Sequence, residues 1–149
     1  MTKDVLIHVR GLQTIEGENL QETPIEIVTV GEYYFRNGSH YLRYEEMMEG
    51  FPDTTVNYIK INPRGMEVRK KGAANVHMVF QEQKKNITYY QTPYGSLQMG
   101  IAATKMDVEE KEDDLKVKVD YVLEMNEEYV ADCYISIDVQ SKGSRDFVL

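Results

Sequence analysis

Apolar and polar residues alternate at period two along most of this chain, the pattern of strands with one face turned from water. The clearest run is Leu115, Val117, Val119, Tyr121, Leu123 and Met125, interleaved with Lys116, Lys118, Asp120, Val122 and Glu124. Ala131, Cys133, Ile135, Ile137 and Val139 alternate in the same way with Asp132, Tyr134, Ser136 and Asp138. Near the start, Val5, Ile7 and Val9 alternate with Leu6, His8 and Arg10, and the run reaches about Ile15. Ile25 to Arg36 is rich in Ile, Val, Thr, Tyr and Phe, residues that suit a pleated, half-buried surface. Shorter strand patterns cover His40–Glu46, Thr54–Ile61, Met66–Lys70 and Asn75–Phe80. Asn86 to Val108 reads as two strands joined by a turn, with Leu97, Met99, Ile101 and Ala103 on one face of the second.

The segments between these runs carry turn chemistry. Asn37-Gly38 is a strong hairpin signal, because both central residues of a type I′ turn need positive φ. Asn62-Pro63-Arg64-Gly65 and Thr92-Pro93-Tyr94-Gly95 have proline where a type I turn presets φ and glycine at the exit. Gly31, inside a long strand, predicts a bulge or a sharp bend. Glu45–Met48 is the one stretch that could also form a short helical turn, and the tail from Ser141 shows no periodicity.

Short connections make neighbours in sequence pair antiparallel. Long strands twist and coil, so a meander of this kind either splits into a sandwich or closes on itself. The turns join successive strands rather than distant ones, which favours closure. The expected fold is all-β: residues 1–149 as a single domain, an antiparallel up-and-down meander closed into a barrel of roughly eight to ten strands. Such a barrel is either filled by side chains or holds one small ligand.

The run Thr88-Tyr89-Tyr90-Gln91-Thr92-Pro93-Tyr94-Gly95, followed by the alternating strand to Thr104 and by Asp120-Tyr121-Val122-Leu123, resembles the YwiB-like family, a group of small bacterial proteins of unknown function. The resemblance runs from the first strand to about Val139. It implies a calycin-like, lipocalin-like barrel. It implies no activity and transfers no catalytic residue.

Composition narrows the picture. The chain has 149 residues, net charge −8 and a single cysteine, Cys133, so no internal disulfide can form. No apolar run approaches the ~20 residues of a membrane helix, and no signal peptide is expected, since Met1–Val5 runs straight into strand-like alternation. Together these predict a cytoplasmic protein with no membrane partner. Arg69-Lys70-Lys71, with Arg64 nearby, is the densest basic cluster. It reads as a solvated hairpin tip with no aromatic signature beside it, so no nucleic-acid partner is expected.

No nucleophile elbow, zinc motif or phosphate loop occurs, and no cofactor is implied. Cys133 falls on an apolar face and reads as core. His8 and His77 could hold a metal only if the fold made them neighbours. The reading leans away from an enzyme. Eleven tyrosines and no tryptophan stand out, since a tyrosine offers an apolar body with a polar tip. Tyr58, Tyr90, Tyr94 and Tyr121 are the expected lining of a barrel mouth that takes a small apolar or amphipathic ligand, with Arg69 and Thr104 as polar anchors. For Arg69 this needs a bulge or a mouth position, because simple alternation puts it opposite Met66 and Val68. The alternative is a filled barrel that acts on partners through its outer surface. Adjacent tyrosines, Tyr33-Tyr34 and Tyr89-Tyr90, must put one ring inside and one outside. Gly100 and Ala102 make one strand small or apolar on its outer face too. That predicts a cover there: the N-terminal segment, the tail or a second subunit, hence a homodimer.

Overall fold

The computed structural model describes residues 1–14, 25–47, 52–72, 75–92 and 95–142. They form β1 (Asp4–Thr14), β2 (Ile25–Arg36), β3 (Ser39–Met47), β4 (Thr54–Asn62), β5 (Gly65–Gly72), β6 (Val76–Phe80), β7 (Lys84–Thr92), β8 (Gly95–Glu110), β9 (Asp114–Met125) and β10 (Glu128–Ser141). All lie in one antiparallel sheet of order β6-β5-β4-β3-β2-β1-β10-β9-β8-β7. Every neighbour in that order is a neighbour in sequence except β1 and β10, which pair from Val5↔Ser141 to Thr14↔Asp132. The first and last strands therefore meet, and the meander closes into a barrel.

One seam stays thin. Between β6 and β7 the link is a bridge from Gln81 to Lys84, and the turn that joins them is tied to β8 by a bridge from Glu82 to Ala103 and a hydrogen bond from the Gln83 amide to the Ala103 carbonyl, 2.8 Å.

Turn chemistry sets the register. Asn37 and Gly38 have φ of 51° and 78°, the type I′ geometry that pairs Arg36 with Ser39 and then Tyr34 with Tyr41. Asn126 and Glu127 make the same turn, with φ of 51° and 70°. Glu45, Glu46 and Met47 continue β3 and pair with Val56, Thr55 and Thr54. No helical turn forms there, and Met48 lies outside the described residues. β8 runs on to Glu110 and β9 starts at Asp114, so only Lys111–Asp113 connect them.

Gly31 is where β2 leaves β3. On one side, β2 stays paired to β1 from Asp4↔Glu32 to Gly11↔Ile25. On the other, it pairs with β3 only from Glu32↔Arg43 onward. The two strands part there, leaving a cleft of about 850 Å³ lined by Thr29, Gly31, Tyr44 and Lys142 among others.

The inward positions make one core. Val5, Ile7, Leu42, Ile59, Ile61, Met66, Val68, Phe80, Ile101, Leu115, Val117, Val119, Ile137 and Val139 are all buried and packed together. Phe80 meets Tyr121 edge to face across the interior, centroids 4.9 Å apart. Cys133 is buried on the same inner face, opposite Tyr121. The paired tyrosines divide as alternation demands: Tyr33 is buried and Tyr34 exposed, and Tyr90 is half-buried beside an exposed Tyr89.

The small outer face at Gly100 and Ala102 has its cover within the chain. Lys85 of β7 and Glu124 of β9 form an ion pair over β8. A Cβ on Gly100 would stand 3.1 Å from the Lys85 side chain.

Candidate functional site

Counting outward from the two turns at Asn37-Gly38 and Pro63-Arg64 gives the outer face of β2–β6. One cross-strand row is Tyr34, Tyr41, Lys60, Glu67; the next is Glu32, Arg43, Tyr58, Arg69, His77. These rows enclose a groove of about 520 Å³ on the outer wall. Tyr34 and Tyr41 stack, centroids 4.7 Å apart and planes within 9°. Lys60 lies 5.9 Å from the Tyr41 ring and Lys71 6.0 Å from the Tyr58 ring. Arg43 is held by Glu45 at 3.2 Å, faces Glu32 at 4.0 Å and hydrogen-bonds Tyr58. The tyrosines stay open to solvent, Tyr34 at 56% and Tyr58 at 43%.

The structure thus separates the residues expected to line a barrel mouth. Tyr58 and Arg69 are direct cross-strand partners, but on the outer wall. No bulge turns Arg69 inward, because β4 and β5 pair without a break from Asn62↔Gly65 to Thr55↔Gly72. Tyr121 does face inward and is half-buried. Tyr90 pairs with Leu97 and shares its inner side. Thr104 is the extra residue of a bulge in β8 between Ala103 and Lys105; its hydroxyl donates to the Asp120 carbonyl at 3.2 Å, and it is exposed. Tyr94 lies outside the described residues.

The basic cluster also divides. Arg69 and Lys71 point out, while Lys70 points in and pairs with Glu46 at 2.8 Å. Asn57, fully buried, donates to the same Glu46 oxygen at 3.0 Å. Burial pushes the Glu46 carboxyl up, but the hydrogen bonds from Lys70 and Asn57 outweigh it and hold it below the usual range.

Sequence reasoning missed the partnership of Tyr34, Tyr41, Arg43 and Lys60. The signal was present, since a two-residue hairpin at Asn37-Gly38 dictates Tyr34↔Tyr41 by counting alone.

Two further polar clusters lie elsewhere. At the Asn37 end, the Tyr33 hydroxyl donates to His40 Nδ1 at 2.8 Å, and His40 Nε2 meets Glu110 Oε1 at 2.5 Å. With Glu110 ionised, Nε2–H is the donor to it and Nδ1 the acceptor from tyrosine. Burial, and then the Glu110 charge, push the Tyr33 hydroxyl up, so it stays a donor. β3 and β8 stand on opposite sides of the barrel, and this chain straps one end. A cleft of about 670 Å³ opens above it. His8 and His77 are not neighbours: they lie on β1 and β6, against Asp138 and Arg69.

The second cluster is on the outer face of β10. Asp138 sits between His8 and Lys116. Burial, with a hydrogen bond to Asp114 and its charge, pushes the Asp138 carboxyl up to about 6. The folded protein therefore holds this proton more tightly than the unfolded chain. Stability is expected to fall as pH rises from 3.8 to about 6 and to stay reduced above that. Asp138→Asn should remove the cost. Partial exposure screens the charge, so a gain of about 1 kcal/mol above pH 7 is expected, with none near pH 4. Denaturant melts at the two pH values check it.

Among the described residues no helix is long and apolar enough to cross a membrane. Curated proteins return no match to this chain. Among solved structures, the crystal structure of the ywiB protein from Bacillus subtilis is similar, with TM-score 0.78 at 18% identity over 94% of this chain and 92% of that one. At that identity the likeness is one of fold, and it agrees with the YwiB-like resemblance read from Thr88–Gly95, the strand to Thr104 and Asp120–Leu123. The profile of the domain of unknown function DUF1934 matches residues 7–137. With most of its length matched, the chain belongs to the DUF1934 family.

Proposed function

We infer that this protein is a binding module that acts through the outer face of β2–β6, with the packed barrel as its scaffold. The observation that carries this reading is the groove itself. Two exposed tyrosines, Tyr34 and Tyr58, the half-buried Tyr41 and a set of cations converge on one concavity of about 520 Å³, the usual size and composition of a recognition site. The rigid wall beneath supports it. Leu42 and Ile59, between the groove's strands, are buried in the core, so the rows above them are pre-positioned at little entropic cost.

A second reading is a ligand cup at the opposite end of the barrel. Tyr121, Leu123 and Met125 face inward there and are only half-buried. A calycin-like binder of apolar molecules would use those residues.

Amide chemical-shift mapping of the full chain separates the two. Naphthoate serves as a planar aromatic anion and laurate as an apolar tail. Naphthoate is expected to move the amides of Tyr34, Tyr41, Arg43, Tyr58 and Arg69. Shifts confined to Tyr90, Tyr121 and Met125 with laurate would overturn the outer-face reading and favour the cup.

A further inference from the structure

We propose that the groove on β2–β6 binds single-stranded nucleic acid, its bases stacking on Tyr34, Tyr41 and Tyr58 and its phosphates meeting Lys60, Arg69 and Lys71. This rests on the outer-face reading and names the occupant.

Charge is the first argument. The chain carries −8 overall, yet the outward positions of this face hold five cations, Arg36, Arg43, Lys60, Arg69 and Lys71, against four carboxylates, Glu26, Glu32, Glu45 and Glu67, of which Glu26 stands away from the groove beside His8 and Arg10. Arg43 engages two of those carboxylates. Among the described residues, Lys60, Arg69 and Lys71 have no ion-pair partner. A cation kept unpaired on an acidic protein is free to meet an anion, and phosphates gain most from it because they release counterions.

Stacking is the second. Each base has a π-face, so aromatic platforms bind single strands with little regard to sequence, at about 1–3 kcal/mol per base. Tyr34 and Tyr41 form one parallel stack, braced by the hairpin turn. Tyr58 stands one strand over and one row down, a diagonal of about 7–8 Å. That exceeds the ~3.4 Å rise between stacked bases. Successive bases would be splayed onto separate rings, the form in which single strands are read. A duplex keeps its base faces hidden and could offer this surface only phosphates.

The combination decides between occupants. An acidic peptide would use the cations and leave the rings idle. A proline-rich peptide would use the rings and leave the cations idle. Lys60 lies beside the Tyr41 ring and Lys71 beside the Tyr58 ring, so base platform and phosphate contact come as units.

Fluorescence anisotropy of the full chain with a labelled 12-nucleotide oligouridine, the matching single-stranded DNA, a hairpin duplex and polyglutamate tests the proposal. The single strands are expected to bind, and to bind about twentyfold more weakly at 200 mM than at 50 mM salt, as about three phosphate contacts imply. Tyr41→Ala and Tyr58→Ala should each weaken binding about 5- to 100-fold, while Tyr58→Phe retains most of it. Arg69→Glu combined with Lys71→Glu should abolish it. Lys118→Glu, on the outer face of β9, should leave it unchanged. These side chains face outward, and melting curves confirm that each variant is folded. A preference for RNA would place a 2′-hydroxyl contact in the site; equal binding of RNA and DNA supports the shared chemistry.

No single-strand binding at 50 mM salt overturns the proposal. So does binding that polyglutamate or the duplex matches, or that the tyrosine variants leave intact. If naphthoate maps to the groove but no oligonucleotide binds, the groove stands and this occupant falls. If oligonucleotides bind and shift amides elsewhere, both fall.

Discussion

Phe80→Ala is expected to destabilise the protein by about 3–5 kcal/mol, read as a fall in the denaturant midpoint at unchanged slope. Phe80 is 1% exposed. Its ring closes the interior where hydrogen bonding is thinnest, between β6 and β7, and meets Tyr121 of β9 edge to face. Truncation removes the apolar area and that ring contact, and it leaves a void that strands pinned by cross-strand hydrogen bonds cannot collapse to fill. Phe80→Leu keeps most of the volume and should cost under about 1.5 kcal/mol. The experiment also bears on function. A barrel holding a ligand-sized space at its centre would tolerate the loss, and a cost under about 1 kcal/mol would show that the interior is not packed as described. A large cost supports the filled scaffold on which the outer-face reading stands.

Gly31→Ala should cost about 3 kcal/mol, a large effect for one methyl group. A Cβ at this position would lie 2.5 Å from Ile7 Cδ1 and 2.6 Å from the Arg43 carbonyl oxygen. The isoleucine end can rotate away, but the carbonyl belongs to the backbone of β3 and cannot move without breaking the Glu32↔Arg43 register. The penalty is one of overpacking where β2 leaves β3. Gly11→Ala is the control, since its nearest foreign atom would be the Tyr134 carbonyl oxygen at 3.9 Å. It should cost well under 1 kcal/mol. Equal costs for the two substitutions would mean that β2 does not leave β3 where the structure puts it. Arg43 sits at this point and also in the groove. Gly31→Ala should therefore weaken binding to the outer face as well as stability.

The strands and the hairpin registers could be read from the residues in order, because each depends on neighbours only a few positions away. Period two assigns Val117 and Ile137 to an inner face, and the type I′ turn at Asn37-Gly38 pairs Tyr34 with Tyr41, with no knowledge of the rest of the chain. Even Tyr58↔Arg69 follows by counting back from Asn62 and forward from Gly65. The reading of those two residues as mouth-lining failed because it set their chemistry above their alternation.

Other features needed the closed sheet. Nothing in Arg69-Lys70-Lys71 indicates that Lys70 finds a half-buried Glu46 twenty-four residues away. The cover over Gly100 comes from Lys85 and Glu124, side chains of two strands that meet only because β8 lies between them. His40 reaches Glu110 across the barrel end for the same reason. Alternation decides which side of a strand a residue occupies, since that is set by the local backbone. Which residues meet across the barrel depends on how the first and last strands of the chain come together, and in this protein that is decided by the pairing of β1 with β10.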